Sequence, residues 1–118
     1  MMTLQEIIDI LEARLVCGGK PGEIEIGAAF GSDLMSDVLA RSKSHCLLLT
    51  GLTNPQTVRA AEMLEMAAIC YVQGKIPIVE TVALAETKGV VLIGTRFSMY
   101  VACGKLYNLG LAGCDDLL

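Results

Sequence analysis

The order of apolar and polar residues along the chain divides it into short, alternating elements. At the start, Leu4, Ile7, Ile8, Leu11 and Leu15 keep one helical face apolar. Thr3 and Glu6 stand before them at capping-box spacing, so a helix is predicted over 3–14. "CGGKPG" then breaks the pattern, and "EIEIGAAF" alternates briefly and reads as a strand over 23–30. Three further apolar runs predict strands over 45–50, 67–72 and 90–94. Between and after them, helices are predicted over 32–42, 54–66, 77–88 and 96–107. Their boundaries carry local chemistry. Asn54 suits an N-cap with Pro55 at the first helical position. Pro77 opens the next helix, Gly89 closes it, and Thr95 suits the cap of the last.

Strand and helix alternate from residue 23 onward with very short connections. That rhythm predicts an α/β fold: one three-layer domain with a mostly parallel sheet of about four to five strands flanked by helices. The strands are apolar on both faces, as strands covered on both sides should be. The domain is expected to occupy residues 1–111, with "AGCDDLL", residues 112–118, as a C-terminal tail. No linker, repeat or low-complexity segment interrupts it.

Composition narrows the picture. The chain has 118 residues, of which 53% are hydrophobic but only 4% aromatic, and it lacks tryptophan. Its core must therefore be aliphatic. The surplus of apolar residues in a small domain predicts a homodimer, because some of it must reach the surface. The Met-bearing helix faces with Met63 and Met66, and the last helix with Phe97, Met99 and Tyr100, are the expected carriers. A formal net charge of −4 argues against nucleic-acid binding. No apolar run approaches the roughly 18 residues of a membrane span, and the N-terminus has no basic leader. The five cysteines include no CxxC pair. They are expected to be reduced, buried thiols of a cytoplasmic protein rather than metal ligands.

Parallel sheets bind ligands beyond the carboxyl ends of their strands. The predicted strand ends here are rich in glycine and polar groups: Ser32 and Asp33; Thr50, Thr53 and Asn54; Lys75; and Thr95 and Arg96. Helix-opening turns favour anions, so a small anionic ligand is expected among Ser32, Asp33, Thr50, Thr53, Asn54, Thr95 and Arg96. Turns also need glycine, and caps need Ser, Thr or Asn, whether or not anything binds. In "FGSDLMSDVLAR" local chemistry accounts for most residues. Ser32 or Asp33 can cap the helix, Leu34, Met35, Val38 and Leu39 form a buried stripe, and Asp37 stands four before Arg41. A metal pair would need further ligands, and the sequence offers no second acidic cluster except Asp115-Asp116 in the tail. The sequence has no GxxxxGK[ST], no GxGxxG after a strand and no GxSxG, and His45 has no evident carboxylate partner. No catalytic residue, metal or cofactor is expected.

"GSDLMSDVLARSK", "TNPQTVRAAEMLEMAAICYVQGKIP" and "AETKGVVLIGTRFSMYVACGKLYNLGL" together resemble the DRTGG domain, over residues 3 to 111. The family's helix start reads here from Asp33 to Val38, its Asn-started helix from Asn54, and its later strand from Val90 to Thr95. The family's name motif is replaced. "EIEIGAA" stands where D-R-x-V-T-G-G is usual, with Glu23 for the Asp, Ile24 for the Arg and Ala28-Ala29 for the paired glycines.

The resemblance implies a regulatory or dimer-forming role. Such domains accompany catalytic domains in some phosphotransacetylases and the CBS domains of some pyrophosphatases, and the N-terminal domain of HPr kinase/phosphorylase is similar. The expected function is a non-catalytic regulatory and dimerisation module sensing a small anionic metabolite or nucleotide. One alternative is an assembly protein for a hydrogenase or another redox metalloenzyme, since short free-standing versions occur near iron-only hydrogenase genes. Another is a small enzyme acting on a phosphorylated substrate, with Asp33, Asn54, Lys75 and Arg96 around one crevice.

Overall fold

The computed structural model describes residues 1–114. A capping box opens α1 (Leu4–Leu11): Thr3 Oγ1 accepts the Glu6 amide, and Glu6 accepts the Thr3 amide. The helix stops at Glu12, which takes a left-handed conformation at φ 48°. The chain then turns into β2 (Arg14–Cys17), so the helix predicted to residue 14 ends at Leu11. Leu15, expected on its buried face, is 43% exposed on that strand. The predicted strand 23–30 is broken at Gly27. Glu25–Ile26 (β3) pairs antiparallel with Met2–Thr3 (β1) in a small ribbon, and Ala28–Gly31 (β4) enters the main sheet.

Four parallel strands form the centre: β4, β5 (Cys46–Thr50), β6 (Ala68–Tyr71) and β7 (Val91–Gly94). The chain connects them through α2 (Met35–Arg41), α3 (Pro55–Met63) and α4 (Val79–Lys88), then runs through α5 (Met99–Asn108) to β8 (Ala112–Gly113). The six-stranded order is β2-β7-β6-β5-β4-β8, with only β2 antiparallel. The α/β expectation therefore holds with six strands rather than four or five. The additions are the two edges. Ala112–Gly113, expected in a tail, pairs with Ala28–Ala29. Residues 115–118 of that tail lie outside the described residues.

Topology decides the layers. From β4 to β7 the chain steps in one direction, so right-handed crossovers bring α2, α3 and α4 to one face. The return through α5 to β8 brings α5 to the other face, beside α1. Strand alternation feeds both cores. Leu47, Leu49, Cys70 and Ile93 pack with Leu4, Ile7, Leu11, Ala102 and Leu106. Leu48, Ile69, Tyr71 and Leu92 pack with Val38, Val58, Ala61 and Ala85. Asn54 caps α3 by accepting the Gln56 amide, and Gly89 closes α4 at φ 72°. The last helix begins three residues later than predicted because Ser98, not Thr95, accepts the amide that caps it.

The cysteines are not all free. Cys46 and Cys114 form a disulfide across 68 residues, which corrects the expectation of five reduced thiols. It fastens the end of β8 to the start of β5, and the Cys114 amide donates to the Ala29 carbonyl. Cys17, Cys70 and Cys103 are free. Among the described residues, no helix is long and apolar enough to cross a membrane.

Candidate functional site

All four central strands end at one edge, so the turns after them share a surface. Asp33, in the turn after β4, does not cap α2; Leu34 holds that position with no side-chain cap. Instead the Asp33 carboxylate accepts the Thr50 hydroxyl at 3.1 Å and the Gly51 amide at 2.6 Å. The capping role expected for Ser32 or Asp33 is thus replaced. Ser32 Oγ accepts the Leu34 amide in a local turn, and Asp33 ties neighbouring turns together. The expected buried stripe on α2 is also narrower. Val38 is buried, but Leu34 and Leu39 are exposed. Among the described residues the one ion pair is Lys88 with Glu62, so Asp37 and Arg41 do not form theirs.

Most of the residues singled out from the sequence serve the framework. Thr50 is buried, donates to Asp33 and accepts the Leu52 amide. The Thr53 carbonyl accepts the Ile78 amide and the Thr81 hydroxyl, holding the start of α4 against the end of β5. Thr95 is buried, donates to the Leu11 carbonyl at 2.7 Å and accepts the Phe97 amide. Asn54 is committed to its cap and lines a separate cleft with Met35, Leu39 and Met63. Asn54 and Arg96 therefore do not share a crevice, and the four-residue constellation required by the small-enzyme alternative is not assembled.

Arg96 does line a cleft. A cleft of about 370 Å³ lies beyond the ends of β6 and β7, lined by Glu12, Arg14, Gly74, Lys75, Gly94, Thr95 and Arg96. Arg14 reaches it from β2, where it pairs with Gly94 across the antiparallel edge. Lys75 follows a tight turn in which Gln73 and Gly74 both adopt positive φ. Its ammonium stands 3.2 Å from the point where a Cβ on Gly51 would lie, and the Asp33 carboxylate oxygens stand 3.4 Å from that point. Arg14, Lys75 and Arg96 are exposed and make no ion pair within 4.0 Å. Arg14 and Glu12 were not recognisable as site residues from the sequence, because the α1 pattern runs through them.

A second, larger cavity of about 620 Å³ runs along α5 beside β4 and β8. It is almost wholly apolar, with Leu49, Met99, Cys103, Leu106 and Leu111 in its walls. Burial raises the Cys103 thiol above its ordinary range, so it is a weak nucleophile there. Among the described residues, no group of three or more His, Cys, Asp or Glu side chains could hold a metal ion.

Comparison with known proteins locates the fold. No family model matches the chain, and no curated protein sequence does. A solved structure does: the CBS and DRTGG domains of the regulatory region of Clostridium perfringens pyrophosphatase, complexed with its activator diadenosine tetraphosphate. The TM-score is 0.71 at 15% identity. The likeness is one of fold. The match covers 88% of this chain and 45% of the pyrophosphatase chain, so this chain spans less than half of that region.

Proposed function

We propose that this domain is a non-catalytic regulatory module that binds a small anionic metabolite, nucleotides included, and works as a homodimer. The observation that carries the reading is the cleft with Arg14, Lys75 and Arg96, three cations without ion-pair partners at the carboxyl edge of a parallel sheet. Open α/β sheets take ligands at this edge. Unpaired guanidinium groups are also the side chains best suited to phosphate and carboxylate. The fold supports the reading from a second direction. Its relative belongs to a regulatory region, and that structure holds a nucleotide activator. The apolar cavity along α5 supports self-association.

A thermal-shift screen of the full chain against nucleotides, phosphorylated metabolites and carboxylates tests the sensing role. A ligand that binds only the folded protein raises its apparent stability by mass action, about 2.7 kcal/mol at a hundredfold excess over Kd. The expected result is stabilisation by at least one anion, reduced by added salt and lost in Arg96→Ala. No shift from any anion at millimolar concentration would remove the sensing role.

A further inference from the structure

We infer that the cleft recognises an oligophosphate group, that it does so with side chains rather than backbone amides, and that Arg14 is one of its binding residues. The inference rests on the anion-binding reading above and narrows its ligand class.

Charge is the first argument. Three cations and one carboxylate, Glu12, line the cleft, a formal surplus of two positive charges in a chain whose net charge is −4, and the Asp33 carboxylate stands outside that lining on the Lys75 side. No ion pair among the described residues neutralises them. A partner carrying several negative charges in a small volume complements such a cleft, and a neutral or singly charged one does not.

Donor supply is the second. Most amides around the cleft, that of Arg96 excepted, are already committed. Gly74 donates to the Thr95 carbonyl, Thr95 to that of Tyr71, and Lys75 to that of Val72. Phe97 donates to Thr95 Oγ1. No amide cradle of the phosphate-loop kind is built there. Binding falls to two guanidinium forks and one ammonium.

Spacing is the third. Arg14 sits on β2, while the Lys75 ammonium overlies Gly51 at the end of β5. In the order β2-β7-β6-β5 those strands are three spacings apart, about 14 Å at the usual strand separation. Cations rooted on strands that far apart suit a ligand with several linked anionic groups. The lining also contains no aromatic and no large apolar side chain, so a nucleobase has only the Arg14 and Arg96 guanidinium planes to stack on within the cleft.

Isothermal titration of the full chain with inorganic phosphate, pyrophosphate, tripolyphosphate, adenosine, AMP and ATP tests this. Affinity is expected to climb with phosphate number, tripolyphosphate to bind within a few-fold of ATP, and adenosine not to bind. Arg14→Ala and Arg96→Ala should each weaken tripolyphosphate by about tenfold or more, the scale of one lost charge-assisted hydrogen bond. Arg14→Lys should recover part of the loss. Both positions are exposed, so circular dichroism of the variants should match the parent. Tripolyphosphate binding unchanged in Arg14→Ala and Arg96→Ala would overturn the assignment of the cleft. ATP and AMP binding equally, with tripolyphosphate not binding, would overturn the oligophosphate class while leaving an anion-sensing module standing. If no compound in the series binds but a carboxylate from the wider screen does, the class again fails alone. If no anion of any kind binds, both readings fall together.

Discussion

The Asp33 carboxylate accepts the Gly51 amide at 2.6 Å and so joins the turn after β4 to the turn after β5. Gly51 is buried, so its N–H has no water to fall back on. Removing the acceptor in Asp33→Ala also strands the Thr50 hydroxyl. The expected cost is about 1–3 kcal/mol, the usual range for an orphaned buried donor. Asp33→Asn retains a carbonyl oxygen at the same reach and should lose distinctly less. Urea unfolding of the two variants measures this. Equal losses would mean that the carboxylate acts through its charge and not as an acceptor for these two donors.

Thiol counting checks the disulfide. In denaturant without reductant, a thiol reagent should label three cysteines per chain, Cys17, Cys70 and Cys103, and with reductant all five. A cross-link closing a loop of 68 residues restricts the unfolded chain, worth roughly 4 kcal/mol on the chain-entropy account. The paired replacement Cys46→Ser with Cys114→Ser should therefore lower the unfolding free energy by an amount of that order. Five reactive thiols before reduction would remove the bond.

Alkaline pH should destabilise the fold through Tyr71. Burial pushes its hydroxyl from 10.0 up to about 12, and the hydrogen bond with Thr57 at 2.9 Å offsets only part of this. Burial likewise pushes the Cys70 thiol from 9.0 up to about 12. Both groups are held neutral in the folded chain and ionise earlier in the unfolded one. Their contribution is complete below the unfolded values and is lost as pH rises through the window up to about 12. Unfolding free energies measured at rising alkaline pH should fall, and less steeply in Tyr71→Phe. The same slope in both proteins would show that Tyr71 ionises as freely folded as unfolded.

Residues whose role is decided within a turn of themselves were legible from the sequence. The Thr3–Glu6 capping box, Asn54 before Pro55, and Gly89 after α4 all act on amides and carbonyls close by in the chain. The apolar runs of the central strands were equally plain, because strands covered on both faces need apolar residues at every position. The rest depended on distant partners. Asp33 obeys every local rule for a cap, yet its donors lie 17 and 18 residues away. β8 is two residues long and is defined only by lying beside β4. Arg14 continues the helical pattern of α1, and only its pairing with Gly94 brings it to the cleft beside Arg96. Of the seven residues expected around a ligand, Arg96 and the buried Thr95 line that cleft, and Lys75, noted as a supporting charge, lines it with them.

Self-association should run through α5. Tyr100, Gly104 and Tyr107 fall at i, i+4 and i+7, so they share one face of that helix. Tyr100 is 88% exposed, Tyr107 66% and the adjoining Leu109 58%. Nothing lies within 4 Å of where a Cβ on Gly104 would stand, leaving room for another backbone to approach between the two tyrosines. The same face borders the apolar cavity of about 620 Å³, so projecting rings and a recess occur on one patch. A two-fold interface needs that combination, since each copy must offer both halves of the contact. Phe97, also expected as a carrier, is instead half-buried under the Lys105 ammonium, 4.9 Å from its ring, and Met66 is buried in the core. Sedimentation equilibrium at micromolar protein is expected to give a dimer. Tyr100→Lys combined with Tyr107→Lys should move it to monomer without altering the circular dichroism, because neither ring supports the fold. A single 12.5 kDa species for the parent chain across the concentration range would end the dimer assignment. A dimer unaffected by the paired lysines would shift the interface to another face, such as the exposed Met63 and Leu39 of α3 and α2.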